Sequence, residues 1–285
     1  MNEKQFAITH YHWDHYNFIS LVPRIFLISY MFLLYLLLLT LEKPSLKILC
    51  LFIITKFRNY PLIPLLLKST KEIQALHRGD TFYAGDIRWE VLWPDYHILD
   101  QFMRRKLENL RKRIDNIKNQ LDSRQQRAFN IIYNVLSGAF SDSIEVMWFN
   151  NYLEEDYLDV EREGLPSSLI RAVGELEKEF KKLTNSASLI FSSKEYPHML
   201  FLGDASDLAL NIRCAKPDLR EIPFFLIKAA HHGTHYGNIL DGVKTKFLVF
   251  SRNKILKPRD EYFTNIDWYS IIDTHKHGSC LISET

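Results

Sequence analysis

The spacing of hydrophobic and polar positions predicts two β-rich parts separated by helices. Residues 4–9 favour a short strand. The segment GDTFYAGDIRWEVLWP at 79–94 favours a β-hairpin, because Gly–Asp turn signals flank its aromatic and β-branched residues. From about 98 to 136, apolar residues recur at alternating spacings of three and four, which predicts an amphipathic helix. A second helix is predicted over 167–183, with Ser168 as its N-cap.

The rest of the chain returns to short apolar runs that predict strands. Two of these runs lie in NSASLIFSS and HMLFLGDAS, with a turn at KEYP between them. Three more lie in FFLIKAAHHGTHYGN, KFLVFSRN and SIIDTHKHGSCLI. We therefore predict an α/β domain formed by residues 1–97 and 184–285, into which residues 98–183 are inserted as a helical segment.

One apolar run, at 25–41, allows two interpretations. It contains no charged residue over seventeen positions, and a membrane span needs about 20 apolar residues, with about 17 as the lower limit. It is therefore either a short membrane anchor or a buried helix with a neighbouring strand of a layered α/β core. Pro23 and Pro44 bracket the run and favour the buried core, while contact with a membrane stays open.

Charge and cysteine content limit which binding partners and which cellular compartment the sequence predicts. The net charge of +2 is too small to argue for a nucleic-acid partner by itself. Between Arg104 and Arg127, however, nine basic residues stand against three acidic ones. This basic helix, 104–127, is either a contact for a polyanion such as nucleic acid or an ordinary solvated face. The three cysteines are far apart and form no CxxC pair, which favours a reducing, cytoplasmic setting.

The segment AITHYHWDHYNF at 7–18 carries the strongest chemical signal. In an extended segment, side chains at i, i+2 and i+4 share a face, so His10, His12 and Asp14 converge. His15 reaches a second position if the chain turns there. Imidazole and carboxylate groups together suit zinc, manganese or iron, and two close metals need this density of ligands. The segment therefore predicts a metal site.

Three motifs in order resemble the metallo-β-lactamase-fold hydrolases. HxHxDH is typical of that family, MLFLGDAS places Asp204 after an apolar strand, and LIKAAHHGTHYGN offers His231 and His232 after another. With NSASLIF, FSRN and DTHKHGSCLI, they resemble the hydrolase domain attached to the competence protein ComEC and its stand-alone relatives. The resemblance covers residues 5–20 and 184–282, and covers the middle of the chain poorly.

The resemblance implies an α/β fold, the αββα metallo-β-lactamase-like sandwich, with two divalent metal ions, Zn²⁺ or Mn²⁺. One ion would be held by His10 and His12, and the other by Asp14 and His15. Asp204 would bridge the two ions, and either His231 or His232 would complete the second site.

The implied reaction is hydrolysis by a metal-bridged hydroxide, which Asp14 would orient. Lys228, Thr234 and His235 lie where a substrate phosphate or a leaving group would be met, although ordinary polar residues at strand ends are an equal alternative. His275 and His277 flank a glycine turn in the tail and are weaker candidates for the same cleft.

The chain departs from the family pattern in two places. Family members have strands of the first sheet before HxHxDH, and here nine residues precede His10, so we expect a truncated member with a loosened site. Many members also have a histidine before the Gly–Asp strand. Here Ser186 or Ser188 stands near that position, and His198 lies at the turn before the strand.

The function predicted from these observations is phosphodiester hydrolysis, on nucleic acid or a nucleotide. Ester or lactone hydrolysis is an alternative, because it uses the same ligands within this fold. A non-catalytic binding or regulatory protein, using the helical segment as an interaction surface, is a third possibility.

Overall fold

The computed structural model describes residues 4–8, 28–32, 47, 50–51, 70–74, 76–84, 86–136, 166–211, 219–252, 260–278 and 282. Within them the strands are β1 (Lys4–Ile8), β2 (Ile28–Phe32), β3 (Thr70–Gln74), β4 (Thr81–Ala84), β5 (Ile87–Trp93), β6 (Ile190–Ser193), β7 (Met199–Phe201), β8 (Phe224–Lys228), β9 (Lys244–Phe250) and β10 (Asp267–Asp273). The α-helices are α1 (Tyr96–Lys118), α2 (Ser123–Leu136), α3 (Ser167–Ser186), α4 (Asp207–Asn211) and α5 (Thr274–His277). The fold is mixed α/β, which confirms the predicted class at that level.

Seven strands form one mixed sheet with the order β10-β9-β8-β7-β6-β5-β4. Neighbours from β4 to β7 are antiparallel, whereas β7, β8, β9 and β10 run parallel to one another. Parallel neighbours place their carboxyl ends at the same end of the sheet. Strands β5 and β6 are adjacent although the helical segment separates them in sequence. That pairing is compatible with an insertion, and the boundaries at 97/98 and 183/184 stay a prediction.

The hairpin predicted over 79–94 is confirmed by the pairing of β4 with β5. Thr81 lies opposite Glu90, and Ala84 lies opposite Ile87. Phe82, Trp89 and Phe191 of β6 pack together with ring centroids 5.4 to 6.3 Å apart. These aromatic rings form a hydrophobic cluster distinct from the main core.

The single helix predicted over 98–136 is wrong in its continuity, because the chain forms two helices there. Helix α1 ends at Lys118 and α2 begins at Ser123. The Asp122 carboxylate accepts a hydrogen bond from the Gln125 N–H at 2.8 Å, and the Gln125 side-chain oxygen accepts one from the Asp122 N–H at 3.1 Å. This reciprocal capping box starts a new helix even though the apolar spacing continues across it.

Helix α3 begins and ends at different residues from those predicted. Its N-cap is Pro166, which makes no side-chain capping bond, so the assignment of Ser168 as the cap is wrong. The helix also continues to Ser186, and the Ala187 N–H bonds the carbonyl oxygens of Leu183 and Thr184 at 3.1 Å. The following strand is therefore shorter than NSASLIFSS and begins at Ile190.

The apolar sides of α1 and α3 belong to the main core, which also includes the inner residues of the large sheet. Buried residues of the two helices are Met103, Leu107, Leu110, Ile114, Ile117, Leu169, Val173, Leu176 and Phe180. On the opposite side of α1, the exposed residues include Arg104, Arg105, Lys106, Arg111 and Lys112. Contact of this basic side with nucleic acid stays a prediction.

A second, smaller sheet has three parallel strands in the order β1-β2-β3. Strand β1 confirms the short strand predicted at 4–9. Strand β2 lies inside the apolar run 25–41, for which the sequence predicts either a membrane anchor or a buried helix with a neighbouring strand. The rest of that run lies outside the described residues. Among the helices that the structure describes, none is long and apolar enough to cross a membrane.

Candidate functional site

Several of the predicted site residues lie at the carboxyl ends of β7 and β8 or in the segments that follow them. They are Asp204, Lys228, His231, His232, Thr234 and His235. The predicted ligands His10, His12, Asp14 and His15 fall outside the described residues. The described residues of the candidate site all belong to the carboxyl-terminal half of the chain.

Asp204 sits in the turn that follows β7 and is 1% exposed. The turn is possible because Gly203 adopts a φ of +51°, a left-handed conformation that glycine accepts without strain. The Asp204 N–H donates to the Ser188 hydroxyl at 2.8 Å, which ties this turn to the segment before β6. Ser188 thus holds the backbone of Asp204 in place.

His231 and His232 both lie in left-handed backbone conformations, with φ of +45° and +61°. Such angles are uncommon for residues other than glycine and occur preferentially at functional sites. Local hydrogen bonds maintain the bend: the His231 N–H donates to the Gly203 carbonyl at 3.0 Å. The Thr234 hydroxyl donates to the His231 carbonyl at 2.6 Å. Thr234 therefore stabilises this bend, and its predicted contact with substrate stays a prediction.

The ring of His231 faces Asp204, with its Nε2 atom 3.8 Å from Asp204 Oδ2. His235 sets the tautomer of that ring. Its Nδ1 is 3.0 Å from the Ala205 carbonyl, which only accepts, so in the neutral ring Nδ1 carries the proton. His235 Nε2 then accepts from His231 Nδ1 at 3.1 Å. In that tautomer His231 Nε2, 3.8 Å from the buried carboxylate of Asp204, carries no proton.

His232 is oriented by a different contact, between its Nδ1 and the carbonyl oxygen of Ser251 after β9. By the same reasoning Nδ1 donates, and Nε2 holds the lone pair that a metal ligand needs. Both histidines therefore have a ligand-type tautomer, while His231 is the one whose ring nitrogen lies close to Asp204. The choice between them stays a prediction.

A buried ion pair fixes the chain next to Ser251. Two nitrogens of the Arg252 guanidinium donate to Asp273 Oδ2 at the end of β10, and their side chains are 9% and 4% exposed. Burial acts to raise the pKa of the Asp273 carboxyl. The hydrogen bonds from Arg252 and the His275 N–H, with the charges of Arg252 and Lys276, outweigh that effect and lower the pKa below its ordinary value.

The remaining candidate residues lie at different places relative to Asp204, His231 and His232. Lys228 ends β8 beside Phe201 and is half-buried. His198 precedes β7, so it lies at the opposite end of that strand from Asp204. His275 and His277 are exposed in α5, where His277 Nδ1 accepts from the Asp273 N–H at 3.0 Å.

Sequence reasoning missed the residues that position the candidate ligands. The sequence indicated no role for the Ala205 carbonyl or for the Arg252–Asp273 pair. Ser188 and Ser251 lie in segments used for the resemblance, but no positioning role was predicted for them. The Asp–Thr start of α5 is a recognisable helix cap, because Asp273 Oδ1 accepts from the His275 N–H at 3.0 Å. The partnership of Asp273 with Arg252 has no local sequence signal.

In the part of the chain that the structure describes, no group of three or more His, Cys, Asp or Glu side chains is arranged to hold a metal ion. Asp204 and His231 are a pair of candidate donors, which is fewer than a metal ion requires. A scan against protein-family models, a search of curated proteins and a search of solved structures each found no match.

Proposed function

We propose that the protein is a binuclear metal-dependent hydrolase of the metallo-β-lactamase type, which cleaves phosphodiester bonds in nucleic acid or nucleotides. The proposal includes an αββα sandwich, two Zn²⁺ or Mn²⁺ ions, and a cytoplasmic setting suited to the reduced, buried thiol of Cys50. The observation that carries it is the pairing of Asp204 with His231 at the carboxyl ends of two parallel strands.

The described donors suit a divalent ion in type and burial. Two donor atoms about 2.1 Å from one tetrahedral zinc ion are about 3.4 Å apart. Asp204 Oδ2 and His231 Nε2 are 3.8 Å apart, so they would move about 0.4 Å closer on binding a zinc ion. A carboxylate that is 1% exposed is costly to ionise unless positive charge lies nearby. The HxHxDH segment would supply the remaining ligands: His10, His12, Asp14 and His15.

The chain's own groups have defined tasks in this proposal. When bound, the two ions would activate a water molecule and stabilise negative charge on a phosphoryl oxygen. Asp204 offers a negatively charged oxygen ligand, and Ser188 holds its backbone. His235 contacts the Nδ1 atom of His231 and would hold that ring in place. Lys228, at the end of β8, would add positive charge beside the site through an ammonium group that is buried in this structure.

The choice of a phosphodiester rests on charge. The exposed basic residues of α1 favour a polyanionic substrate over a neutral ester or lactone. Arg113 is excluded from that surface, because it pairs with Glu179 and lies 3.6 Å from Glu175, both of α3.

The test is the metal content of the purified full chain together with hydrolysis of a chromogenic phosphodiester. We expect about two equivalents of zinc or manganese in the wild type. Asp204→Asn and His231→Ala are each expected to lower metal content and to reduce hydrolysis at least 100-fold. His77→Ala is the matched control, because His77 is an exposed histidine in the turn before β4 and should leave both quantities unchanged.

The contrary outcomes are equally definite. A folded wild type without bound metal, after incubation with zinc or manganese, would overturn the enzyme proposal and favour the non-catalytic alternative. Retention of full metal content in both site variants would remove Asp204 and His231 from the site. Turnover of a lactone or thioester in place of the phosphodiester would retain the site and change the substrate.

A further inference from the structure

The end of the large sheet opposite the candidate site contains a separate cavity of about 440 Å³. It lies at the amino ends of β8, β9 and β10, with the turn between β6 and β7 alongside. Strand β9 has seven residues, so the cavity and the site are about 20 Å apart at about 3.3 Å per residue. The cavity is thus outside the candidate metal site, and the proposed hydrolysis assigns it no role.

Strand register and one backbone bond build this cavity. Phe224, Thr245 and Trp268 lie side by side across the three strands. The Phe225 N–H donates to the His198 carbonyl at 2.7 Å, which brings the preceding turn against the amino end of β8. That turn carries Tyr196 into the lining.

The cavity is unusual in its exposed aromatic rings. Tyr196, Trp268 and Tyr269 are 69%, 41% and 83% exposed. They are three of only five large hydrophobic side chains that are exposed among the described residues. Single exposed apolar residues need no explanation, but a cluster of rings around one concavity marks a binding surface.

Lysine side chains stand beside these rings. The Lys246 ammonium lies 5.4 Å from the ring centroid of Phe225 and 5.5 Å from that of Phe247. The cation is therefore placed over two aromatic rings. Lys244 is also exposed and lies opposite Asp267 in the β9–β10 pairing. The lining therefore combines two cations, one carboxylate and several rings.

We propose that this aromatic–lysine cavity binds a segment of single-stranded nucleic acid. Exposed rings stack on unpaired bases without regard to sequence, and neighbouring lysines bind the phosphates between them. Asp267 offers an acceptor for an N–H group of an unpaired base. A duplex does not fit this chemistry, because its bases are already stacked and paired.

Single-stranded nucleic acid explains the lining better than a peptide does. A proline-rich peptide also binds between aromatic rings. Such a peptide has no phosphates to engage the cations at Lys244 and Lys246. The role of this cavity in holding a substrate strand rests on the proposed hydrolase function, whereas the binding itself does not depend on the metal site.

The experiment measures binding of a fluorescein-labelled oligodeoxythymidylate, about twelve nucleotides long, to the full chain by fluorescence anisotropy. EDTA is present throughout, so the metal site and hydrolysis take no part. Tyr269→Ala and Lys246→Ala are each expected to weaken binding about tenfold. Two matched controls should bind like the wild type: Tyr83→Ala, an exposed tyrosine 57% accessible on β4, and Lys178→Ala, an exposed lysine on α3.

A second measurement reports the rings directly. Stacking on a base is expected to quench the tryptophan fluorescence of the wild type, and Trp268→Phe should lose most of this quenching. Circular dichroism of each variant excludes unfolding as the cause of a loss.

The proposal is overturned if the wild type does not bind the oligonucleotide at low salt, or if Tyr269→Ala and Lys246→Ala bind as tightly as the wild type. Equal binding by these variants would assign the contact to the basic side of α1. Binding of a proline-rich peptide without binding of the oligonucleotide would also overturn it. Loss of hydrolysis with retained oligonucleotide binding would instead count only against the proposed metal site.

Discussion

The buried pair between Arg252 and Asp273 provides the most direct test of the packing next to the candidate site. Asp273 accepts from Arg252 Nε at 2.9 Å, from a second guanidinium nitrogen, and from the His275 N–H at 3.0 Å. Asp273→Ala removes all three acceptor contacts. It leaves the Arg252 guanidinium buried, because that side chain is only 9% exposed.

The size of the effect follows from that burial. Removal of one partner from a buried ion pair costs about 3–5 kcal/mol, mainly because the other charge is left without compensation. Asp273→Asn keeps a carbonyl oxygen that still accepts hydrogen bonds but loses the charge, so we expect about 1.5–3 kcal/mol. The order of stability should therefore be wild type, then Asn, then Ala.

The pH dependence has a defined sign. The folded-state pKa of Asp273 is lower than its ordinary value near about 3.9, so the folded state favours the ionised carboxylate. Its contribution to the free energy of unfolding is therefore complete above about pH 4 and is lost as the pH falls through the folded pKa. The difference between wild type and Asp273→Asn should stay constant from pH 5 to 8, and should shrink in more acidic buffer.

Urea denaturation followed by circular dichroism measures these differences. The matched control is Glu179→Ala, which removes the carboxylate from the Arg113–Glu179 pair, where the side chains are 33% and 49% exposed. An exposed pair contributes about 0–1 kcal/mol. A loss in Asp273→Ala no larger than that in Glu179→Ala would refute the reasoning from burial.

Two further predictions concern the helical segment and the buried thiol. Asp122→Ala should lower the free energy of unfolding by about 1 kcal/mol through loss of the α2 cap, whereas Glu108→Ala on the exposed side of α1 should change it by less than about 0.5 kcal/mol. Equal effects of these two variants would argue against the cap. Burial raises the pKa of the Cys50 thiol, so iodoacetamide at pH 8 should label Cys50 in urea and leave it unlabelled in the folded chain, as mass spectrometry of the Cys50 peptide would show. Rapid labelling without urea would contradict this burial.

Local signals predicted the local parts of the fold. The β4–β5 hairpin could be predicted because its turn residues and its strand residues are neighbours in sequence. The break between α1 and α2 was equally local, in the DSRQ segment, but the unbroken apolar period concealed it. Strand β2 could not be distinguished from a helix, because an uninterrupted apolar run has no period to read.

The candidate site likewise contains residues that local sequence could predict and residues that it could not. Asp204 and His231 stood out because each follows an apolar run and has a side chain that suits metal ions. The groups that orient them depend on contacts between distant positions, such as Asp204 with Ser188, sixteen residues apart, and His232 with Ser251, nineteen residues apart. A backbone carbonyl such as that of Ser251 has no residue-type signature, so only the fold could reveal its role.

Strand order explains why the candidate residues lie at different distances from Asp204. Strands β7, β8, β9 and β10 are neighbours in the same order in space as in sequence. Each step along the chain therefore moves one strand further from Asp204. His231, after the adjacent β8, comes within 3.8 Å of its carboxylate. Asp273, the last residue of β10, is two strands further on, and its hydrogen bonds to Arg252 connect it to the site through the neighbouring Ser251 carbonyl and His232. In the proposed metal site, Asp273→Asn should consequently weaken metal binding less than His231→Ala does, because His231 is a candidate ligand and Asp273 acts only through other residues.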